Sequence, residues 1–200
     1  MTITAQMVKE LREATGAAVL DCKKALEENG GDFEKAKAYL AEKGLATVKK
    51  KADREAHEGK IETYTHPGGR VGVMVEVNCE TDFVANTDQF QRFARDIALH
   101  IAFANPRYIS PESIPAEEVE AKRKEFAEEA QGKPAAIVEK IVEGKLNKWF
   151  AEVCLLSQPF VKDEDILVGD LVNQTIAEIK ENIVIRRFAR FALGDDGGQE

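Results

Sequence analysis

Apolar positions recur at helical spacing through the first 45 residues. Met7, Val8, Leu11 and Ala14 fall on one side of a first helix, which Thr15-Gly16 breaks, with Gly16 placed as a C-cap. A second stripe, Ala18, Cys22, Ala25 and Leu26, runs to Asn29-Gly30-Gly31. Asp32 has the side chain of an N-cap for a third helix with Phe33, Ala36 and Leu40 on one face and Gly44 as its predicted end. Three helices this short bury little apolar surface, so they predict a small head of marginal independent stability. Lys49 to Arg54 reads as a linker or an exposed helical extension.

The pattern then alternates. Glu58 to His66 alternates around Ile61 and Thr63, and Pro67-Gly68-Gly69 supplies a turn. Val71, Val73, Val75 and Val77 follow on one face of a strand, with Arg70, Glu76 and Asn78 on the other. By the same parity Cys79 points with the valines.

Helical spacing resumes at Asn86, which with Gln89 resembles a capping box. Phe90, Phe93, Ala94, Ile97, Ile101 and Ala104 form its apolar face, and Asn105-Pro106 ends it. Ile109 to Pro115 is a loop with two prolines. Two charged helices are predicted at 116–130 and 134–156, broken at Gly132-Lys133-Pro134; such pairs make arms or covering layers. Pro159 stops the second. A further helix is expected over 165–179 and a strand over 183–193. Residues 195–200 form a polar, Gly-rich tail of disordered character. The fold class expected is α+β: a helical head at 1–48, a basic linker at 49–56, and a core at 57–194 in which helices cover an antiparallel sheet.

Composition narrows the function classes. The chain has 200 residues, 44% of them apolar and 32% charged, as in ordinary globular proteins. It starts Met1-Thr2-Ile3-Thr4 without a basic-then-apolar leader, and no apolar run nears the ~18 residues of a membrane span. A cytoplasmic protein with no membrane partner is expected. Three well-separated cysteines, Cys22, Cys79 and Cys154, read as reduced thiols. The net charge of -8 opposes direct nucleic-acid binding. Charge is uneven, because residues 1–54 hold eleven Lys/Arg against nine Asp/Glu.

Candidate chemistry is sparse. There is no GxxxxGK[ST] loop and no GxGxxG after a strand. His57, His66 and His100 lack a second ligand at metal spacing, so no metal or cofactor is expected. His66 precedes the turn and is expected to be exposed; His100 is expected on the flank of its helix. A thiol hydrolase would pair Cys79 with His66 and Asp82. The stronger reading of Cys79 is a small buried hydrophobe, since reactive thiols need polar, partly exposed surroundings.

The junction Glu80 to Ala85 is unusual. It joins the clearest strand to the clearest helix, yet carries Phe83 and Val84 beside Asp82 where Gly, Asn or Ser would be ordinary. Residue type alone sends Phe83 into the core. The competing reading is an apolar wedge, flanked by acidic groups, offered to a partner.

Four segments carry a resemblance. Val75-Glu-Val-Asn-Cys-Glu-Thr-Asp-Phe-Val84 resembles the signature of bacterial elongation factor Ts, the exchange-factor family of translation that acts on elongation factor Tu. Leu11-Arg-Glu-Ala-Thr-Gly-Ala-Ala-Val-Leu-Asp-Cys-Lys-Lys-Ala-Leu26 is similar to the family's N-terminal pattern, and Gln158-Pro-Phe-Val161 and Asn182-Ile-Val-Ile-Arg-Arg-Phe-Ala-Arg-Phe191 also match in order. One departure is Ala18-Val19-Leu20, where the family commonly has Gly-Met-Met; both positions remain apolar.

The resemblance implies a non-enzymatic function. The head would be ubiquitin-associated-like and would dock on the nucleotide domain of elongation factor Tu through Arg12, Val19, Leu20 and Lys23. Thr81, Asp82, Phe83 and Val84 would act near the magnesium side of the guanine nucleotide site and promote GDP release. The partner would be bound with GDP and without nucleotide. Short members carry one core module where long ones carry two, so pairing of two copies could compensate. From the residues alone, Arg12 and Lys23 read as a solvated helix face. The alternatives are a helical adaptor that binds another protein through its head, and a thiol enzyme.

Overall fold

A computed structural model of the chain describes residues 2–195; the rest of the tail predicted from Asp195 lies outside the described residues. The head consists of α1 (Ala5–Thr15), α2 (Val19–Glu28) and α3 (Phe33–Lys51). Thr4 caps α1 by accepting the Met7 N–H at 3.2 Å, and Asp32 caps α3 by accepting the Lys35 N–H at 3.1 Å. Gly16 takes the left-handed conformation, φ 67°, and donates its N–H to the Arg12 carbonyl at 2.8 Å. Val8, Leu11, Cys22, Ala25, Leu26, Ala36 and Leu40 form one buried cluster. Ala14 and Ala18, expected on those faces, are exposed.

Gly44 does not close α3, because a mid-helix glycine costs only about 1 kcal/mol. A Cβ at Gly44 would lie 3.4 Å from that of Ala177, so the small residue suits close packing there. The run Lys49-Lys50-Lys51 is the last turn of α3, where cations meet the negative end of the helix dipole.

Strands β1 (Glu58–Thr65), β2 (Val71–Cys79) and β5 (Val184–Ala192) form an antiparallel sheet in the order β1-β2-β5. Val73, Val75, Val77 and Cys79 are buried, as their alternation predicts. Asn78, on the opposite face, is buried as well, and its Nδ2 donates to the Glu58 carbonyl at 3.2 Å.

The junction after β2 forms a single helical turn, α4 (Asp82–Ala85), before α5 (Asp88–Ala104). The cap of α5 is not the Asn86/Gln89 pair. Thr87 Oγ1 accepts the Phe90 N–H at 3.2 Å, while Asn86 closes α4 and donates from Nδ2 to the Asp82 carbonyl at 2.8 Å. A short helix inserted upstream shifts the start of the long one.

The charged pair is α6 (Ala116–Glu129) and α7 (Ala135–Val153). Val142, Leu146 and Trp149 of α7 join Ile114 and Cys154 in a separate buried cluster. The helix expected from 165 starts at Val168, as α8 (Val168–Ile179). The preceding Asp163–Leu167 is strand β4, paired antiparallel with β3 (Pro159–Phe160). Residues 165–167, expected to be helical, complete a hairpin strand here, and the Val168 N–H donates to the Gln158 carbonyl at 3.0 Å, holding the two ends together.

The described residues divide into two compact units: residues 2–61, 76–93 and 172–186, and residues 62–75, 94–171 and 187–195. No helix among the described residues is long and apolar enough to cross a membrane.

In the second unit His100 is fully buried, not on a helix flank. Its Nε2 lies 3.0 Å from Gln158 Oε1, and its Nδ1 accepts the Val161 N–H at 3.2 Å. The pattern holds a neutral imidazole with the proton on Nε2. Burial lowers its pKa from the ordinary 6.5, against a smaller upward pull from Gln158. A lowered folded-state pKa gives stability that is complete above the unfolded value and declines as the pH falls below 6.5 towards the folded value. Melting temperature should therefore drop between pH 7 and 5 more steeply in the native protein than in His100→Gln. Equal slopes would remove His100 as the cause.

Candidate functional site

The first unit brings α4 and the end of β2 together with two distant segments. Thr81 is the N-cap of α4, its Oγ1 accepting the Val84 N–H at 3.4 Å. One helical turn spaces its side chains about 100° apart, so they cannot share a face. Ala85 is buried and Val84 half-buried, while Asp82 and Phe83 stand in solvent. Phe83 is 83% exposed, which overturns the expectation from residue type alone. Leaving it exposed forgoes about 1.5–3 kcal/mol of burial. That energy is open to a partner.

What holds α4 lies far away in sequence. Glu181 Oε2 accepts the N–H groups of Glu80 at 3.1 Å and Thr81 at 3.0 Å, and its Oε1 accepts the Thr81 hydroxyl at 2.7 Å. The adjacent Asn182 returns the contact, donating its N–H to Glu80 Oε1 at 2.7 Å. Asn182 is buried, and its Nδ2 donates to the carbonyls of Arg54 at 2.8 Å and Ala52 at 3.4 Å. Glu80 pairs with Arg54 at 3.2 Å and with Lys51 at 3.9 Å. Burial raises the Glu80 pKa, but the Asn182 N–H, Arg54 and Lys51 outweigh it, and the net shift is downward. The end of α3, the end of β2 and the link from α8 to β5 thus meet in one hydrogen-bonded knot. Sequence reading passed over Glu80, Glu181 and Asn182. Their one signal was that all three lie in or beside matched segments.

The other predicted residues sit on the head. Val19 and Leu20 open α2 and are 51% and 80% exposed. Arg12 and Lys23 are also exposed, and Lys23 pairs with Glu27 at 3.7 Å. Their surface is separate from the head's buried cluster, so these side chains are available for contact.

The thiol reading fails on geometry. Cys79 is fully buried and donates its S–H to the Thr81 carbonyl at 3.2 Å. Burial, with the charge of Glu181, pushes its pKa up to about 11, away from a nucleophilic thiolate. His66 is exposed beside the Tyr64 hydroxyl, 3.2 Å from its Nδ1. Asp82 faces solvent.

An apolar side chain presented to solvent on a capped turn, beside a thiol locked in the core, suits action on another protein by contact and not thiol chemistry. Comparison with known proteins agrees. The family model described as Elongation factor TS matches residues 2–195. Elongation factor Ts of Carboxydothermus hydrogenoformans is 60% identical over 195 residues, covering 96% of this chain and 90% of that protein. Elongation factor Ts of Citrifermentans bemidjiense is 56% identical over 197 residues, covering 98% and 91%. That of Caldanaerobacter subterraneus subsp. tengcongensis is 55% identical over 195 residues, covering 96% and 98%. The chain belongs to the elongation factor Ts family, the nucleotide exchange factors of elongation factor Tu, which are not catalytic enzymes.

Proposed function

We propose that this chain binds elongation factor Tu in the cytoplasm, with GDP and without nucleotide, and drives GDP release through α4. Arg12, Val19, Leu20 and Lys23 hold the nucleotide domain. Asp82 and Phe83 then press on the partner near its magnesium ion. Mg²⁺ demands octahedral geometry at about 2.0–2.1 Å, so a small displacement of a ligand-bearing element loosens it. Loss of the ion leaves the nucleotide phosphates without their bridging charge. The factor favours the nucleotide-free partner, and by linkage it weakens nucleotide binding by the same ratio.

The observation that carries this reading is the exposure of Phe83 on a capped turn. The test is release of labelled GDP from elongation factor Tu with and without the chain. Release should accelerate severalfold or more. No acceleration would overturn the exchange reading, and failure to capture elongation factor Tu at all would favour the adaptor.

A second copy is a further proposed partner. Met74, Phe191 and Leu193 of the second unit are 53%, 76% and 64% exposed, apolar surface of the kind that pairing covers. Sedimentation should give a dimer mass at micromolar concentration; a monomer mass throughout would dismiss it.

A further inference from the structure

The knot behind α4 does more than fill space. Two consecutive N–H groups, of Glu80 and Thr81, converge on one carboxylate oxygen of Glu181. The other oxygen takes the only proton of the Thr81 hydroxyl. The hydroxyl then has only lone pairs to offer, and one of them receives the Val84 N–H that starts the helical turn. Glu181 therefore dictates the orientation of the cap, and the cap dictates which way the four residues after it face. Without that acceptor, two N–H groups and a hydroxyl lose their partner in a half-buried place. A turn set free in this way has a ready alternative, which is to fold Phe83 inward as its residue type favours.

We propose that Glu181 is a positioning residue for nucleotide exchange, acting through Thr81 to keep Phe83 extended towards the partner. The inference rests on the reading of Phe83 as the wedge. Asn182 supports the same arrangement from the neighbouring position, tying Glu80 to the carbonyls at the end of α3. The two N–H groups need an acceptor oxygen, not a charge. In Glu181→Gln the amide oxygen can accept both N–H groups while the amide nitrogen donates to Thr81 Oγ1, whose second lone pair still caps Val84 and whose proton turns to solvent.

The test measures GDP release from elongation factor Tu over a range of factor concentrations, with full chains carrying Glu181→Ala, Glu181→Gln, Phe83→Ala and the Ala/Ala double change. Glu181→Ala should lower the rate at saturating factor about tenfold, with half-saturation moved by no more than about twofold. Glu181→Gln should restore most of that rate. In the Phe83→Ala background, Glu181→Ala should have no further effect, because its influence passes through the absent ring. A normal saturating rate in Glu181→Ala, with Phe83→Ala impaired, overturns the positioning role alone. A normal rate in Phe83→Ala instead overturns the wedge reading beneath it. Equal losses in both backgrounds give Glu181 a purely structural part and also overturn the inference. If Glu181→Ala fails to fold by thermal unfolding, Thr81→Val replaces it, removing the hydroxyl at constant volume. The same loss of saturating rate, absent in the Phe83→Ala background, is expected, and a normal rate counts against the proposal.

Discussion

Replacing Phe83 by alanine should slow stimulated GDP release about tenfold to a hundredfold, the rate equivalent of the roughly 1.5–3 kcal/mol that burial of one phenyl ring yields. Complex formation should weaken far less. The ring is 83% exposed in the free chain, so its burial energy is unspent before the partner arrives. If that energy goes into displacing the partner's magnesium-side elements, it appears in the rate and little in the affinity for the GDP-bound form. Phe83 does not suffice alone: a ~10⁴-fold loosening of a ligand takes about 5.5 kcal/mol of differential binding. On the proposed reading the head, through Val19 and Leu20, supplies the contact that holds the partner while α4 acts. Stopped-flow release of a fluorescent GDP analogue, set beside equilibrium binding of the same variant, separates the two quantities. Parallel losses of rate and affinity would make Phe83 a grip, and the wedge idea would fail.

Gly59→Ala should destabilise the fold by about 3 kcal/mol or more, since backbone strain and overpacking each cost about 1–3 kcal/mol. Gly59 lies in β1 at φ 140°, a conformation that L side chains rarely adopt. A Cβ there would sit 2.2 Å from the Val77 carbonyl oxygen and 2.7 Å from Asn78 Cα. Both are backbone atoms of β2 and cannot rotate aside. The change would push β1 away from β2, the strand that leads into Glu80 and Thr81, so loss of exchange should accompany loss of stability. Chemical denaturation followed by circular dichroism measures the effect; a midpoint within error of wild type would show that the strand yields freely.

The elements legible in the sequence are those whose signals are local. The valine alternation of β2, the Gly16 cap and the Asp32 cap each depend on residues within one turn or one strand. Gly44 misled because its cost to a helix is small beside the packing of α3 on its neighbours. Residues 165–167 misled because three residues offer too little periodicity to separate the end of a strand from the start of a helix. His100 is polar by type, and only its partners Gln158 and Val161, both distant in sequence, make its burial tolerable. The same limit applies to the site. Thr81 to Val84 stood out as an odd junction, but the exposure of Phe83 depends on Glu181, and no local pattern announces a carboxylate so far along the chain.

That separation also orders events in time. Glu181 meets the N–H of Glu80 across 101 positions, so the residues that form α4 leave the ribosome long before the group that anchors them. Pairings of such sequence separation close late in folding. The head, built from neighbouring segments, can assemble while synthesis continues. On the proposed reading, a growing chain thus acquires its means of attachment first, and the implement it applies to the partner only afterwards.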